Sequence, residues 1–412
     1  MNKSMLLLPL LLPLPAHAQH TEILRPGIRS VQTVAGERWL DMPVIELDGD
    51  ECMNIAFDDM THEYARYAYR LEHCEADWST STELFASDYC AGFSEGNVID
   101  DVTESINTNI LYTHYRLQLP NDACRMKMSG NYRLTVYDEN TGDVAFTTCF
   151  MVVEPAVGLS LEATDNTDID VRRSHQQLAI DLNYSQLRVI RPQQEIKTVM
   201  LQNGAWSTAV WNPTPQYTTA DGLRWDHNRA LIWNGGNEYR KFETLDVTHT
   251  TLGLESVGWD GHDFHAYVWP DEPRPNYLYD EDANGAFYIR NSDNIENDYA
   301  SQYLYVHFQL NAPRLSVPVY LNATWTLDRF TPDVQMDYDP QAQCYTKTLL
   351  LKQGYYSYRY VTLAADGRPL PLASEGNFAQ TENTYQCLVY YHPVGSRTDR
   401  LVGYAETSFN NK

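Results

Sequence analysis

The run Gly92-Phe93-Ser94-Glu95-Gly96 has the G-x-S-x-G spacing of a nucleophile elbow. That chemistry needs the serine on a sharp strand-to-helix turn with an oxyanion hole behind it. The flanks, Tyr89-Cys90-Ala91 and Asn97-Val98-Ile99, offer no helix start. A plain glycine turn is the reading they favour. Asp280-Glu281-Asp282-Ala283-Asn284-Gly285 repeats the first half of an EF-hand loop, but Asn291 stands where the bidentate Glu must be. The sequence instead predicts a metal-free hairpin there, bracketed by Tyr277-Leu278-Tyr279 and Phe287-Tyr288-Ile289, with Asn-Gly as its turn. His262 and His265 stand three apart. On a strand they would point to opposite faces and not share a metal. Gly235-Gly236 leads into Asn237-Glu238, not into the Lys-Ser/Thr helix start that cradles a phosphate. Acidic residues are spread throughout, so no carboxylate pair stands out as acid and base. No catalytic residue, metal or cofactor is expected.

The elements that must hold these residues have a period of two. Tyr132-Arg133-Leu134-Thr135-Val136-Tyr137 alternates, as does Tyr303-Leu304-Tyr305-Val306-His307-Phe308-Gln309-Leu310. Turn signals follow at short intervals, at Ser129-Gly130-Asn131, Glu139-Asn140-Thr141-Gly142 and Ala365-Asp366-Gly367. Many short strands with polar punctuation predict an all-β protein of sandwiches. Pro155 follows an apolar strand, and Asn311-Ala312-Pro313-Arg314 reads as a linker. Three consecutive immunoglobulin-like β-sandwich domains are therefore expected, at 24–155, 156–312 and 313–412.

The ends and the balance of charge set the compartment. Lys3, the apolar stretch from Met5 to Pro15 and Ala16-His17-Ala18 make residues 1–18 a cleavable secretory signal. Pro9, Pro13 and Pro15 break that stretch, which is too short to span a bilayer. Gln19, not Cys, follows it, so no lipid anchor is expected. The formal net charge is −25, and losing Lys3 takes it to −26. So acidic a surface argues against nucleic acid or anionic lipid as a partner. Seven cysteines in an exported chain allow one or two disulfides, whose connectivity the spacing does not give.

An ordered set of short motifs then carries a resemblance. Tyr67-Ala68-Tyr69-Arg70-Leu71 precedes Cys74 and Trp78, and Tyr112-Thr113-His114-Tyr115 leads to Leu119-Pro120-Asn121. Ser129-Gly130-Asn131-Tyr132 follows, then Gln202-Asn203 before Trp206. Further on come Gly235-Gly236-Asn237-Glu238-Tyr239-Arg240 with Phe242-Glu243, and Asp282-Ala283-Asn284-Gly285. Leu351-Lys352-Gln353-Gly354-Tyr355-Tyr356-Ser357-Tyr358, Glu375-Gly376-Asn377-Phe378 and Val389-Tyr390-Tyr391 complete it, with Arg400-Leu401-Val402-Gly403-Tyr404 last. Across the mature chain this set resembles the Plug family of the type IX secretion system. The resemblance implies a non-enzymatic periplasmic protein that occludes the periplasmic mouth of the outer-membrane β-barrel translocon. Its partner would be that barrel; the chain would not insert in the membrane and would be monomeric apart from the complex. The family supplies no catalytic residue to carry over. Two glycine-marked segments are the docking candidates: Tyr355, Tyr356 and Tyr358 on an expected hairpin, and Asn237, Glu238, Tyr239 and Arg240 on an expected loop. The last domain also resembles glycogen- and starch-binding sandwiches, with Trp325 as the one possible sugar platform. An envelope carbohydrate-binding protein is thus the first alternative, and a hydrolase using Ser94 the second.

Overall fold

The computed structural model describes residues 21–410; the expected signal segment lies outside them. Strands dominate. Among the described residues each α-helix is a single turn of four residues, and none is long and apolar enough to cross a membrane. Among the described residues seven sheets, nearly all antiparallel, pack around three apolar cores. This is the all-β sandwich architecture that the period of two predicts.

In the first unit the strands Tyr67–Cys74, Gly130–Asp138 and Val144–Val153 form the centre of one sheet. Ile28–Ala35, Met53–Asp59 and Thr113–Leu119 form the other. Alternate residues meet between them: Tyr67, Tyr69 and Leu71 from one face, Ile55, Phe57 and Tyr115 from the other. Phe57 stacks on Tyr115 at 5.0 Å and takes Tyr67 edge-on at 5.3 Å, the arrangement aromatic quadrupoles prefer.

The second and third units are not consecutive. Asn383–Tyr391, expected in the last domain, pairs with Ile196–Gln202, and Arg400–Phe409 pairs with Asn383–Tyr391 in turn, closing the sheet of the second unit. Their Tyr385, Cys387 and Val389 share a core with Leu178, Ile180, Met200, Trp225 and Trp233. Conversely Arg240–Glu243, Leu254–Trp259, Phe264–Val268 and Tyr303–Leu310, expected in the middle domain, belong to the third unit. The division into 156–312 and 313–412 is corrected accordingly: the third unit is inserted into the second. Residues 311–314 are no linker. Asn311 donates its amide to the Asp271 carbonyl at 2.7 Å, and Ala312 is buried in the third core.

Within the third unit, Gly354–Leu363 is the strand around which one sheet is built, pairing with Arg240–Glu243, Phe287–Ile289, Tyr320–Asn322 and Pro369–Pro371. Tyr303–Leu310 centres the facing sheet, and its Leu304, Val306, Phe308 and Leu310 point inward as the alternation predicts.

Candidate functional site: docking segments and the joints between units

The two candidate docking segments come together, but in the interior. Residues 235–239 do form a loop, which runs into the strand Arg240–Glu243, where Arg240 pairs with Tyr358 and Phe242 with Tyr356. Tyr356 and Tyr358 are 2% and 1% exposed, and Glu238, Tyr239 and Arg240 are buried as well. Tyr356 donates its hydroxyl to the Lys352 carbonyl at 2.6 Å; those of Tyr358 and Tyr360 both reach Asp271 Oδ2. Buried tyrosines with satisfied hydroxyls are core residues. Five of the seven candidates are therefore withdrawn as partner anchors. Tyr355 and Asn237 are half-buried, Tyr355 against Trp39 of the first unit and Asn237 with its amide on the Arg274 carbonyl. Gly354 is glycine because a Cβ there would lie 2.3 Å from the Tyr288 carbonyl oxygen.

What these residues build is a joint. The chain crosses between the second and third units twice, at 235–239 and 373–382, and the two passages are stitched side by side. Phe378 donates its amide to the Gly236 carbonyl at 2.8 Å, Asn377 Oδ1 accepts from the Gly236 amide at 2.7 Å, and Asn383 Nδ2 reaches the Gly235 carbonyl. Beneath them the Arg240 guanidinium lies between Asp271 at 3.0 Å and Glu375 at 2.8 Å, over the ring of Tyr360. Burial alone would lower the Arg240 pKa, but the two carboxylates outweigh it and hold the charge in place.

A second joint ties the first unit to the third. Asp58 and Lys352, 0% and 1% exposed at their side chains, pair at 2.6 Å. Asp58 also accepts from Tyr303 at 2.7 Å and faces His114 Nδ1 at 2.7 Å, while Lys352 Nζ sits 4.2 Å over the Tyr112 ring. Burial would raise the Asp58 carboxyl, yet Lys352 and His114 together keep it below its ordinary value. Burial draws the Lys352 ammonium down despite Asp58.

A third joint, between the first and second units, is mainly apolar. Met42, Val44, Trp78, Met151 and Val153 pack against Val199, Leu201, Leu388, Tyr390 and Leu401. Cys74 and Trp78 of the first motif lie here, with Trp78 edge-on to Trp206 at 5.4 Å. At its rim Glu75, His392 and Asp399 bring donor atoms within 4.8 Å of one another, a metal-like grouping that sequence spacing could not reveal. Lys197 Nζ already sits 2.7 Å from Asp399 Oδ2, and Glu75 accepts from the Asp399 amide and Thr398 hydroxyl. The cluster is an ionic knot with its cation built in. Between the three units lies a cleft of about 400 Å³, lined by Trp39, Asp41, Trp206, Asp282, Asn284 and Glu406.

The remaining sequence candidates have other partners. Ser94 lies between the strands Cys90–Gly92 and Glu95–Val98, with no helix after it, and its carbonyl accepts from Leu71. Residues 277–279 are not a strand, and Phe287–Ile289 pairs with Gly354–Leu363, so the expected hairpin at 280–285 does not form. Asn284 and Gly285 do turn with positive φ. Asp280 is held by Lys241 at 2.6 Å, while Asp282 accepts backbone amides from Asn284 and Tyr239. His262 turns to Asp263, and His265 to His307 and Asp260. Trp325 is no sugar platform: its indole donates to the Ser357 carbonyl and its ring packs on Phe308 and Tyr356.

Fold and site together define an all-β protein of sandwich units with ionisable clusters at the joints between them. Residues 28–154 match the family described as type 9 secretion system plug protein 1st domain. The chain is also similar to a hypothetical protein from Parabacteroides merdae ATCC 43184, whose crystal structure was determined at 2.30 Å resolution. The two are 36% identical, with a TM-score of 0.91, over 95% of this chain and 100% of that one. The chain belongs to the type IX secretion system plug protein family. A plug-related role in type IX secretion, an envelope location and association with secretion-system components go with that membership, and the all-β fold fits a non-enzyme. The C-terminal domain of the Streptococcus pyogenes antigen I/II-family protein AspA is 8% identical over 93% of this chain and 99% of that one. Its TM-score of 0.17 carries no argument. None of the curated proteins matches.

Proposed function

We propose that this protein is a periplasmic plug that occludes the periplasmic opening of the outer-membrane translocon barrel. The observation that carries the reading is the family match over the first unit. The joints support it. A stopper must keep its shape under the push of a pore, and each pair of units here is tied by buried ionic or apolar contacts. It must also be able to leave, which favours a modest interface with a few aromatic anchors. Tyr356 and Tyr358 lie in the core, which favours exposed aromatic residues as the anchors. Phe85 and Phe93, 75% and 72% exposed, flank one strap of the family-matched unit and suit that role.

Deleting the protein should leave secretion running but admit large hydrophilic antibiotics such as vancomycin. Deleting the barrel as well should abolish that leak, because there is then no hole to stop. Unchanged permeability in the single deletion, with the protein expressed in the parent, sinks the proposal. Changing both Phe85 and Phe93 to Ser should weaken co-purification with the barrel on the order of a hundredfold. An intact complex after that change would refute only the proposed anchors.

A further inference from the structure

The strap between Phe85 and Phe93 is held to the first unit by very little regular structure. It consists of the turn Ala86–Tyr89 and the strand Cys90–Gly92, which among the described residues pairs only with Cys124–Met126 in a two-stranded sheet. Two strands alone are marginally stable. The sequence compensates by bringing the backbones very close. Gly92, at φ +91°, leaves its absent Cβ only 2.1 Å from the Ala123 carbonyl oxygen, and Phe93 donates its amide to that same carbonyl at 2.9 Å. On the inner side of this crossing lie two cysteines. Cys90 and Cys124 are 3% and 0% exposed, and their sulfurs are 3.1 Å apart. That is about 1 Å more than the roughly 2.0 Å of a disulfide bond, a gap that small side-chain rotations close.

We propose that Cys90 and Cys124 form a disulfide that staples this strap in the exported protein. The proposal rests on the envelope reading above, because such bonds persist where the surroundings are oxidising. In the reaction each thiol gives up its proton, and the new Sγ–Sγ bond forms as two electrons pass to an incoming disulfide. That oxidant, a thiol–disulfide oxidoreductase or oxidised glutathione, leaves as two thiols. The bond must form before the strap is packed. Once folded, both sulfurs are closed to reagents, and burial pushes the Cys124 thiol well up, away from the reactive thiolate. The bond would close the loop from residue 90 to residue 124 and fix the part of the chain that carries Phe93.

The test takes the full-length protein from two sources, each denatured directly in excess N-ethylmaleimide so that buried thiols are trapped as they become exposed. One sample comes from the periplasmic fraction; the other is reduced, unfolded and refolded in a glutathione redox buffer. Peptide mapping should find Cys90 joined to Cys124 in both, two hydrogen atoms lighter than the separate thiols. Reduction of the wild type should lower its melting temperature by roughly 5–10 °C. The Cys90→Ala/Cys124→Ala variant should fold, melt at the lower temperature and ignore the reductant. Both thiols alkylated in the refolded sample, or either joined to another cysteine, would overturn the assignment. A bond in the refolded sample but not in cells supports the pairing and tells instead against the envelope reading.

Discussion

His73 is 1% exposed, with Nδ1 2.9 Å from the Ser81 hydroxyl and Nε2 3.2 Å from the Ser129 carbonyl. A carbonyl only accepts, so Nε2 carries the proton, and Nδ1 accepts from Ser81. Burial lowers the ring's pKa from 6.5 to about 4. The unfolded chain therefore takes up a proton first as the pH falls. The stability that the neutral ring contributes is full above pH 6.5 and is lost on the way down to pH 4, by about 3 kcal/mol. His73→Phe, although less stable at pH 8, should show a flatter decline over that window in denaturant titrations. An unchanged slope would place the acid sensitivity elsewhere. Little of this was legible in the sequence, where His73 belongs to no motif. The docking tyrosines erred in the opposite direction. Tyr356, Tyr358 and Tyr360 alternate as inward residues do, but tyrosine suits a surface as well as a core. Asp271, which makes burial possible by accepting two of the hydroxyls, lies some ninety positions away in sequence.

At the level of elements, strands were the most legible feature, because inward residues such as Leu304, Val306 and Phe308 mark their own period. Partners were the least legible. The Asn284-Gly285 turn was read correctly as a turn, yet Phe287–Ile289 leaves it to pair with Gly354–Leu363. No local signal encodes that choice, which is made by the core that the strand completes. The glycines of 235–240 were likewise visible but their purpose was not. A Cβ on Gly235 would fall 2.0 Å from the Phe378 carbonyl oxygen. Gly235→Ala must therefore push the two crossing passages apart, costing on the order of 1–3 kcal/mol as other overpacking does. Limited proteolysis should then cut within 235–239 or 373–382 sooner than in the parent. Equal cleavage rates and an equal melting temperature would mean that the joint gives more easily than the packing implies.

For the whole molecule, the lock between the first and third units makes a sharper claim. Lys352→Met strands the Asp58 carboxylate in the interior with only Tyr303 and His114 to answer it, and should cost about 3–5 kcal/mol. Asp58→Leu combined with Lys352→Met should recover much of that, since a matched apolar pair needs no desolvation. A single variant as stable as the parent in equilibrium unfolding would show that the pair is energetically idle. The insertion of the third unit into the second was not legible in the sequence, because the returning strands look like any others. That insertion has a consequence for how the molecule is made. Ile196–Gln202 precedes Asn383–Tyr391, the strand that covers its edge, by nearly two hundred residues as the chain is made and exported. Until then Val199, Met200 and Leu201 flank an open β edge, the feature that invites aggregation and quality-control proteases. The last hairpin thus works as a seal of completeness: a chain clipped before residue 383 leaves that edge bare, and should aggregate or be degraded faster than the whole chain in a pulse-chase comparison.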